Sequence, residues 1–439
     1  MSGALASPSH AEAFRVWLKI GLLSFGGPAG QIALMHRVLV DEKKWIGEER
    51  FLHGLNFCML LPGPEAMQLA TYIGWLLHGV RGGLMAGLLF VLPGFCVIMA
   101  LSTAYALFSG QIWFASIFFG LKAAVLAVVI EALLRVAKKS LKSRAAYGLA
   151  ALSFLSLFCL GVPFPLVVLG AGVIGYVGER MSPGWLGGTR VAPVTLSQPQ
   201  GGGWGHALGV LATWGTLWVV PIVLAGALLG WDSIFPTLAV FFSKMAVVTF
   251  GGAYAVLAYV AQAAVDTFGW LKPGQMIDGL ALAETTPGPL ILVLTYVGFI
   301  AGVQNAGALP PLLAGVIGGT LTTWVTFVPC FLWIFLGAPY IERLRANPAL
   351  SGALSAIGAA VVGVILNLSL WFALQTLFGK VHQMSLGPLH LSVPDVATLD
   401  WRALLLAIAA MIAMFRLHLG MLPVLGLSAL LGLLLKAFG

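Results

Sequence analysis

Two lysines stand six residues ahead of the same tripeptide in a chain otherwise poor in charge. Lys19 precedes Phe25-Gly26-Gly27, and Lys244 precedes Phe250-Gly251-Gly252. Both lie in long apolar stretches, where an ionisable side chain is costly and is read first as functional. Two ammonium groups converging from opposite sides would balance a divalent anion. The competing reading is that each lysine snorkels to a membrane interface, which Arg15 beside Lys19 favours.

Close to each lysine the helical pattern is interrupted. Segment 14–40 is broken by Gly26-Gly27-Pro28 and segment 51–79 by Pro62-Gly63-Pro64; the second half repeats these as Gly251-Gly252 and Pro287-Gly288-Pro289. A break in an apolar segment frees backbone groups that hydrocarbon cannot satisfy, so it is tolerated only beside protein or a wet cavity. The helix that restarts points unbonded N–H groups and a positive dipole end at the gap. An anion is a natural occupant. Proline after the turn, as at Pro28, Pro64 and Pro289, falls where no N–H is lost. The alternative is that the breaks merely kink helices for packing, since Gly and Pro are common in membrane helices. Four breaks in matched pairs favour a site, and a tetrahedral oxyanion as its ligand.

Other polar residues gather at the same places. Glu65 directly follows the first Pro-Gly-Pro, and Glu284 stands just before the second, so the two acids are not equivalent. Such a carboxylate neutralises a cation, carries a proton if burial raises its pKa, or caps a half-helix. Asn56, Gln68, Thr285 and Thr286 offer neutral donors to oxyanion oxygens. Lys122 and Glu131 share segment 112–136 and read as an internal pair. His36, His53 and His78 sit at loop edges without ligand spacing and read as interfacial. Cys58, Cys96, Cys159 and Cys330 are isolated, so no metal, cofactor or dithiol chemistry is expected.

The elements that hold these residues must be membrane helices. Of 439 residues 60% are hydrophobic and 9% charged, against about 25% charged in a soluble domain. Many apolar stretches approach or exceed the ~18–20 residues of a bilayer span. The +8 charge lies in short loops, as the positive-inside rule expects, and implies no nucleic-acid partner. The N-terminus, Met1 to Ala13, has no signal-peptide pattern. No Walker loop, Gly-x-Ser-x-Gly or paired His-Glu zinc motif is present, so an enzyme is not expected.

The chain is also internally repeated. Residues Phe25 to Pro64 align without a gap onto Phe250 to Pro289 at an offset of 225, which also carries Lys19 onto Lys244. Later the register is 236, with Pro93 on Pro329 and Ala123-Ala124-Val125 on Ala359-Ala360-Val361. The expected organisation is a first repeat over 14–178, a polar linker with a connecting transmembrane helix over 179–235, and a second repeat over 236–437. Loops 36–50 and 137–146 are basic and their counterparts nearly neutral, whereas Arg343 and Arg345 face a neutral loop at Ser109-Gly110-Gln111. If basic loops are cytoplasmic, the repeats are inverted relative to each other and the N-terminus is cytoplasmic. Flanks of each break span roughly 11–14 residues, about 16–21 Å of helix, too short to cross a core of about 30 Å. The fold class is therefore all-α: a polytopic membrane protein of two inverted-topology repeats with broken, re-entrant helices. About nine crossings and four hairpins are expected.

Ser24-Phe25-Gly26-Gly27-Pro28, the loop ending near Trp45, and Leu61-Pro62-Gly63-Pro64-Glu65-Ala66 followed by Gln68-Leu69-Ala70-Thr71-Tyr72-Ile73-Gly74-Trp75 resemble the chromate ion transporter (CHR) family. Thr249-Phe250-Gly251-Gly252 and Thr286-Pro287-Gly288-Pro289 match in the second half. The resemblance covers the whole chain and fits the family's long two-domain form. It implies chromate efflux across a bacterial inner membrane by alternating access, driven by membrane potential or an ion gradient, and conferring chromate resistance. Partners would be chromate, an unidentified coupling ion and the lipid bilayer, with a homodimer also compatible. Chromate and sulfate are near-isosteric, so a sulfate transporter of the same fold is the first alternative. A non-transporting membrane scaffold or sensor is the alternative of another class. The family motifs place substrate binding at Gly26, Gly27, Pro62, Gly63, Pro64, Gly251, Gly252, Pro287, Gly288 and Pro289. Glu65 departs from symmetry, since its counterpart is Leu290.

Overall fold

The computed structural model describes residues 8–186, 203–250, 253–340, 348–387 and 389–437. Gly251 and Gly252, most of the polar linker, and Arg343 and Arg345 lie outside them. The helices run α1 (His10–Leu23), α2 (Gly27–His36), α3 (Glu48–Cys58), α4 (Glu65–Phe108), α5 (Ile112–Ser140), α6 (Arg144–Phe158), α7 (Phe164–Met181) and α8 (Trp204–Leu229). They continue as α9 (Ile234–Val248), α10 (Ala253–Gln262), α11 (Pro273–Glu284), α12 (Val293–Gln304), α13 (Pro311–Gly337), α14 (Pro348–Leu377), α15 (Trp401–Phe415) and α16 (Met421–Ala437). Beside the helices there is an antiparallel hairpin, β1 (Val381–Leu386) and β2 (Leu389–Pro394).

Among the described residues six helices are long and apolar enough to cross a bilayer: α4, α5, α7, α8, α13 and α14. Along α8 large apolar side chains such as Leu208, Val219 and Leu228 stay exposed, an arrangement stable in lipid and not in water. The chain is a multi-pass membrane protein. His78 (φ −139°) and Gly79 (φ 60°) divide α4 into a short arm and a long one. Counting that long arm, the described helices outside the breaks are nine, with α6, α15 and α16 the shorter ones. The remainder form four sequential pairs of short helices: α1 with α2, α3 with the short arm of α4, α9 with α10, and α11 with α12.

Two compact units are formed, each drawing on both sequence repeats. The first comprises Met1–Ala106, Ala192–Ala253 and Thr286–Ala346. In it α13 packs along α12 and α9. Gly298 lies against the Gly318 carbonyl, and Gly74 against that of Gly82, so the same close helical approach occurs at matching places in both repeats. The second unit comprises Leu107–Val191, Tyr254–Thr285 and Asn347–Gly439. There α14 packs on α6 and α7, and α5 on α15, α16 and α11. A π-helical turn follows α2 (Arg37–Glu42) and another follows α10 (Ala263–Thr267). Each closes with the matching bond, Lys43 N to Val38 O at 2.9 Å and Phe268 N to Ala263 O at 2.8 Å.

Candidate functional site

The two Phe-Gly-Gly segments begin with the same local chemistry. At the end of α1, Ser24 Oγ donates to Ile20 O at 2.6 Å, and Phe25 N to Leu23 O at 2.9 Å. At the end of α9, Thr249 Oγ1 donates to Met245 O, and Phe250 N to Val248 O at 3.0 Å. A hydroxyl that bonds back to the preceding turn competes with continuation of the helix. Gly26 (φ 86°) and Gly27 (φ 69°) then take the left-handed conformations that glycine adopts without penalty. Pro28 in the first turn starts α2.

The Pro-Gly-Pro breaks close onto these ends crosswise. Gly63 N donates to Thr249 O at 2.8 Å, and Gly288 N donates to Ser24 O at 2.8 Å. The offset of 225 carries one bond onto the other, so each repeat's Pro-Gly-Pro is tied to the other repeat's Phe-Gly-Gly end. An unpaired N–H in hydrocarbon costs several kcal/mol; here each break satisfies the other. A buried glutamine also braces each break. Gln68 Nε2 donates to Pro62 O at 2.7 Å, and Gln31 Nε2 to Gly288 O at 2.6 Å. Both amides are buried, and neither Oε1 has a hydrogen-bond partner among the described residues.

The first unit thus brings together Pro62, Gly63, Pro64, Gln68, Pro287, Gly288 and Pro289 at or beside the breaks, with Gly26, Gly27 and the buried Thr286. Gln68 was expected to serve an oxyanion; one of its N–H groups is committed to Pro62. Gln31 was missed, although a lone glutamine three residues after Pro28 in an apolar segment is a visible signal. Lys19 and Lys244 occupy exposed faces of α1 and α9, and among the described residues neither pairs with a carboxylate. Asn56 is exposed on α3, and Glu65 is half-buried at the start of α4.

Glu284 belongs to the second unit. It is 3% exposed, and its Oε1 accepts the Tyr254 hydroxyl at 2.8 Å. Lys122 does not pair with Glu131. Its Nζ lies 3.0 Å from Oδ1 of the buried Asp278 on α11, while Glu131 pairs with Arg135 one turn along α5. Asp278 was not singled out, though an acid inside an apolar run is itself a signal. His53 is buried within the protein. His36 lies between Asp41 and Glu48, and His78 Nε2 donates to Pro8 O at 2.7 Å.

Paired helices that stop in the apolar part of the chain, with their backbone ends tied across a sequence repeat, define a polytopic α-helical membrane protein of the broken-helix kind found among secondary transporters. Comparison with known proteins agrees. The chain belongs to the chromate transporter family, whose model (Chromate transporter) matches residues 11–176 and 236–433. It is 34% identical to a chromate transport protein of Pseudomonas aeruginosa over 81% of this chain and 79% of the relative. It is 30% identical to a chromate transport protein of Cupriavidus metallidurans over 80% and 79%, and 28% identical to a probable chromate transport protein of Synechococcus elongatus over 80% and 81%. No solved structure matches the chain.

Proposed function

We propose that this protein exports chromate from the cytoplasm by alternating access, driven by membrane potential or an ion gradient. The observation that carries the reading is the pair of crossed bonds, Gly63 to Thr249 and Gly288 to Ser24. They place four restarting or terminating helix ends in one unit of a protein whose relatives are named chromate transport proteins. Helix N-termini favour anions through unbonded N–H groups and the dipole, and Lys19 and Lys244 add matched positive charge on α1 and α9. In this reading the repeats over 14–178 and 236–437 are inserted in opposite senses, with the N-terminus cytoplasmic. The crossed bonds then form the centre about which the transporter rocks.

Chromate uptake into inverted membrane vesicles tests it, with sulfate as competitor and an imposed potential or pH gradient. Accumulation of chromate is expected. Lys19→Ala and Lys244→Ala are expected to abolish it with membrane insertion intact. Absence of accumulation under every gradient would overturn the export reading, and full transport by both variants would remove the lysines from the site.

A further inference from the structure

The second unit carries charged groups that an anion site in the first does not use. They are Lys122, Glu131 and Arg135 on α5 and Asp278 and Glu284 on α11, with the hydroxyl of Tyr254 on α10 beside Glu284. Two of these acids have a cation of their own: Asp278 has Lys122, and Glu131 has Arg135. Glu284 has none within ion-pair distance among the described residues; its partner is the neutral hydroxyl of Tyr254 at 2.8 Å. Around it, Glu131 and Arg135 act electrostatically from α5. α10 contributes Tyr254 and Tyr259, and the turn after it Asp266. α11 itself adds Asp278, and α14 contributes no titratable side chain. Glu284 is also the last residue of α11, where the negative end of the helix dipole repels a fixed negative charge.

Shielding a lone carboxylate from water is costly unless it is paired. An acid placed this way, with one neutral donor and a repelling helix end, suits reversible uptake of a proton. The chain runs from Glu284 directly into Thr285-Thr286-Pro287-Gly288-Pro289, so Glu284 stands four residues in sequence from Gly288, which makes one crossed bond. We infer that Glu284, oriented by Tyr254, is the site that binds and releases the coupling proton of the transport cycle. The inference rests on the transport reading above. Proton uptake converts the Glu284 carboxylate to the neutral acid; the Tyr254 hydroxyl bonds Oε1 in the charged form, and the proton is carried on the other oxygen.

Two measurements on the full-length protein in liposomes test it. The first is the infrared difference spectrum between about pH 5 and pH 9, taken without chromate. A protonated-carboxyl C=O band that Glu284→Gln removes and Tyr254→Phe shifts is expected; a band that Glu284→Gln leaves in place, or no band at all, overturns the inference. The second is the ratio of chromate accumulation with a pH gradient to that without. It is expected to exceed tenfold in the native chain, to fall to one in Glu284→Gln, and to be partly restored by Glu284→Asp. A gradient ratio unchanged in Glu284→Gln also overturns the assignment. Absence of chromate counterflow in the native chain refutes the cargo instead, and leaves the infrared result to decide the proton site.

Discussion

Replacing Gly63 by alanine tests whether the crossed breaks are as tightly built as their geometry implies. Gly63 has φ 125°, and a Cβ there would lie 2.9 Å from both Cys330 Sγ and Gln68 Nε2. Such a backbone costs a non-glycine residue about 1–3 kcal/mol. Displacing Gln68 weakens its bond to Pro62 O, about 0.5–1.5 kcal/mol more. The expected loss is therefore about 1.5–4.5 kcal/mol. Gly26→Ala is the control: its φ is 86° and no atom lies within 4 Å of its Cβ, so only the backbone term of about 1–2 kcal/mol applies. Denaturant unfolding in detergent, alongside chromate uptake, measures both. In Gly63→Ala, the further change Cys330→Gly removes one of the two close contacts. It also restores the residue type at the matching position of the first repeat, Gly94. The double variant is expected to recover about 1 kcal/mol beyond additivity. Equal losses for Gly63→Ala and Gly26→Ala, together with strict additivity with Cys330→Gly, would refute the steric argument.

Two further outcomes are expected. Removing Lys122 alone (Lys122→Met) takes from the buried Asp278 the ammonium that lies 3.0 Å away and is expected to cost about 3 kcal/mol, the low end for a broken buried pair because the lysine is partly exposed; combining it with Asp278→Leu should return most of that, as read by thermal unfolding. Cysteines introduced as Arg50→Cys and Lys142→Cys, in a background carrying Cys96→Ala, are expected to react with an impermeant thiol reagent from the cytoplasmic side only. Labelling from opposite sides would remove the re-entrant hairpins and the inverted topology with them.

Much of the architecture was legible because glycine and proline declare backbone geometry in their own names. Gly26-Gly27-Pro28 and Pro62-Gly63-Pro64 mark the ends of α1 and α3 and the starts of α2 and α4. The partner of Gly63 was not legible, since a backbone bond to Thr249 leaves no side-chain signature. Pairing Lys122 with Glu131 failed on helical geometry: nine residues is two and a half turns, which puts the two on opposite faces about 13 Å apart along the axis. The spacing of four between Glu131 and Arg135 was the pair a helix favours. The hairpin of β1 and β2 was overlooked although Leu389, Leu391 and Val393 alternate with polar residues, a period-two signal.

The crossed bonds are symmetric in space but not in time. When Gly288 is made, its acceptor on Ser24 already exists. Gly63 is made 186 residues before Thr249, which at ~5–20 residues per second is a wait of roughly 10–40 s. Throughout that interval the first Pro-Gly-Pro has an N–H with no lasting partner, and water, a headgroup or the insertion machinery has to occupy it. The order of synthesis thus sets an order of closure: the bond from Gly63 waits for the second repeat, and the bond from Gly288 does not wait for the first.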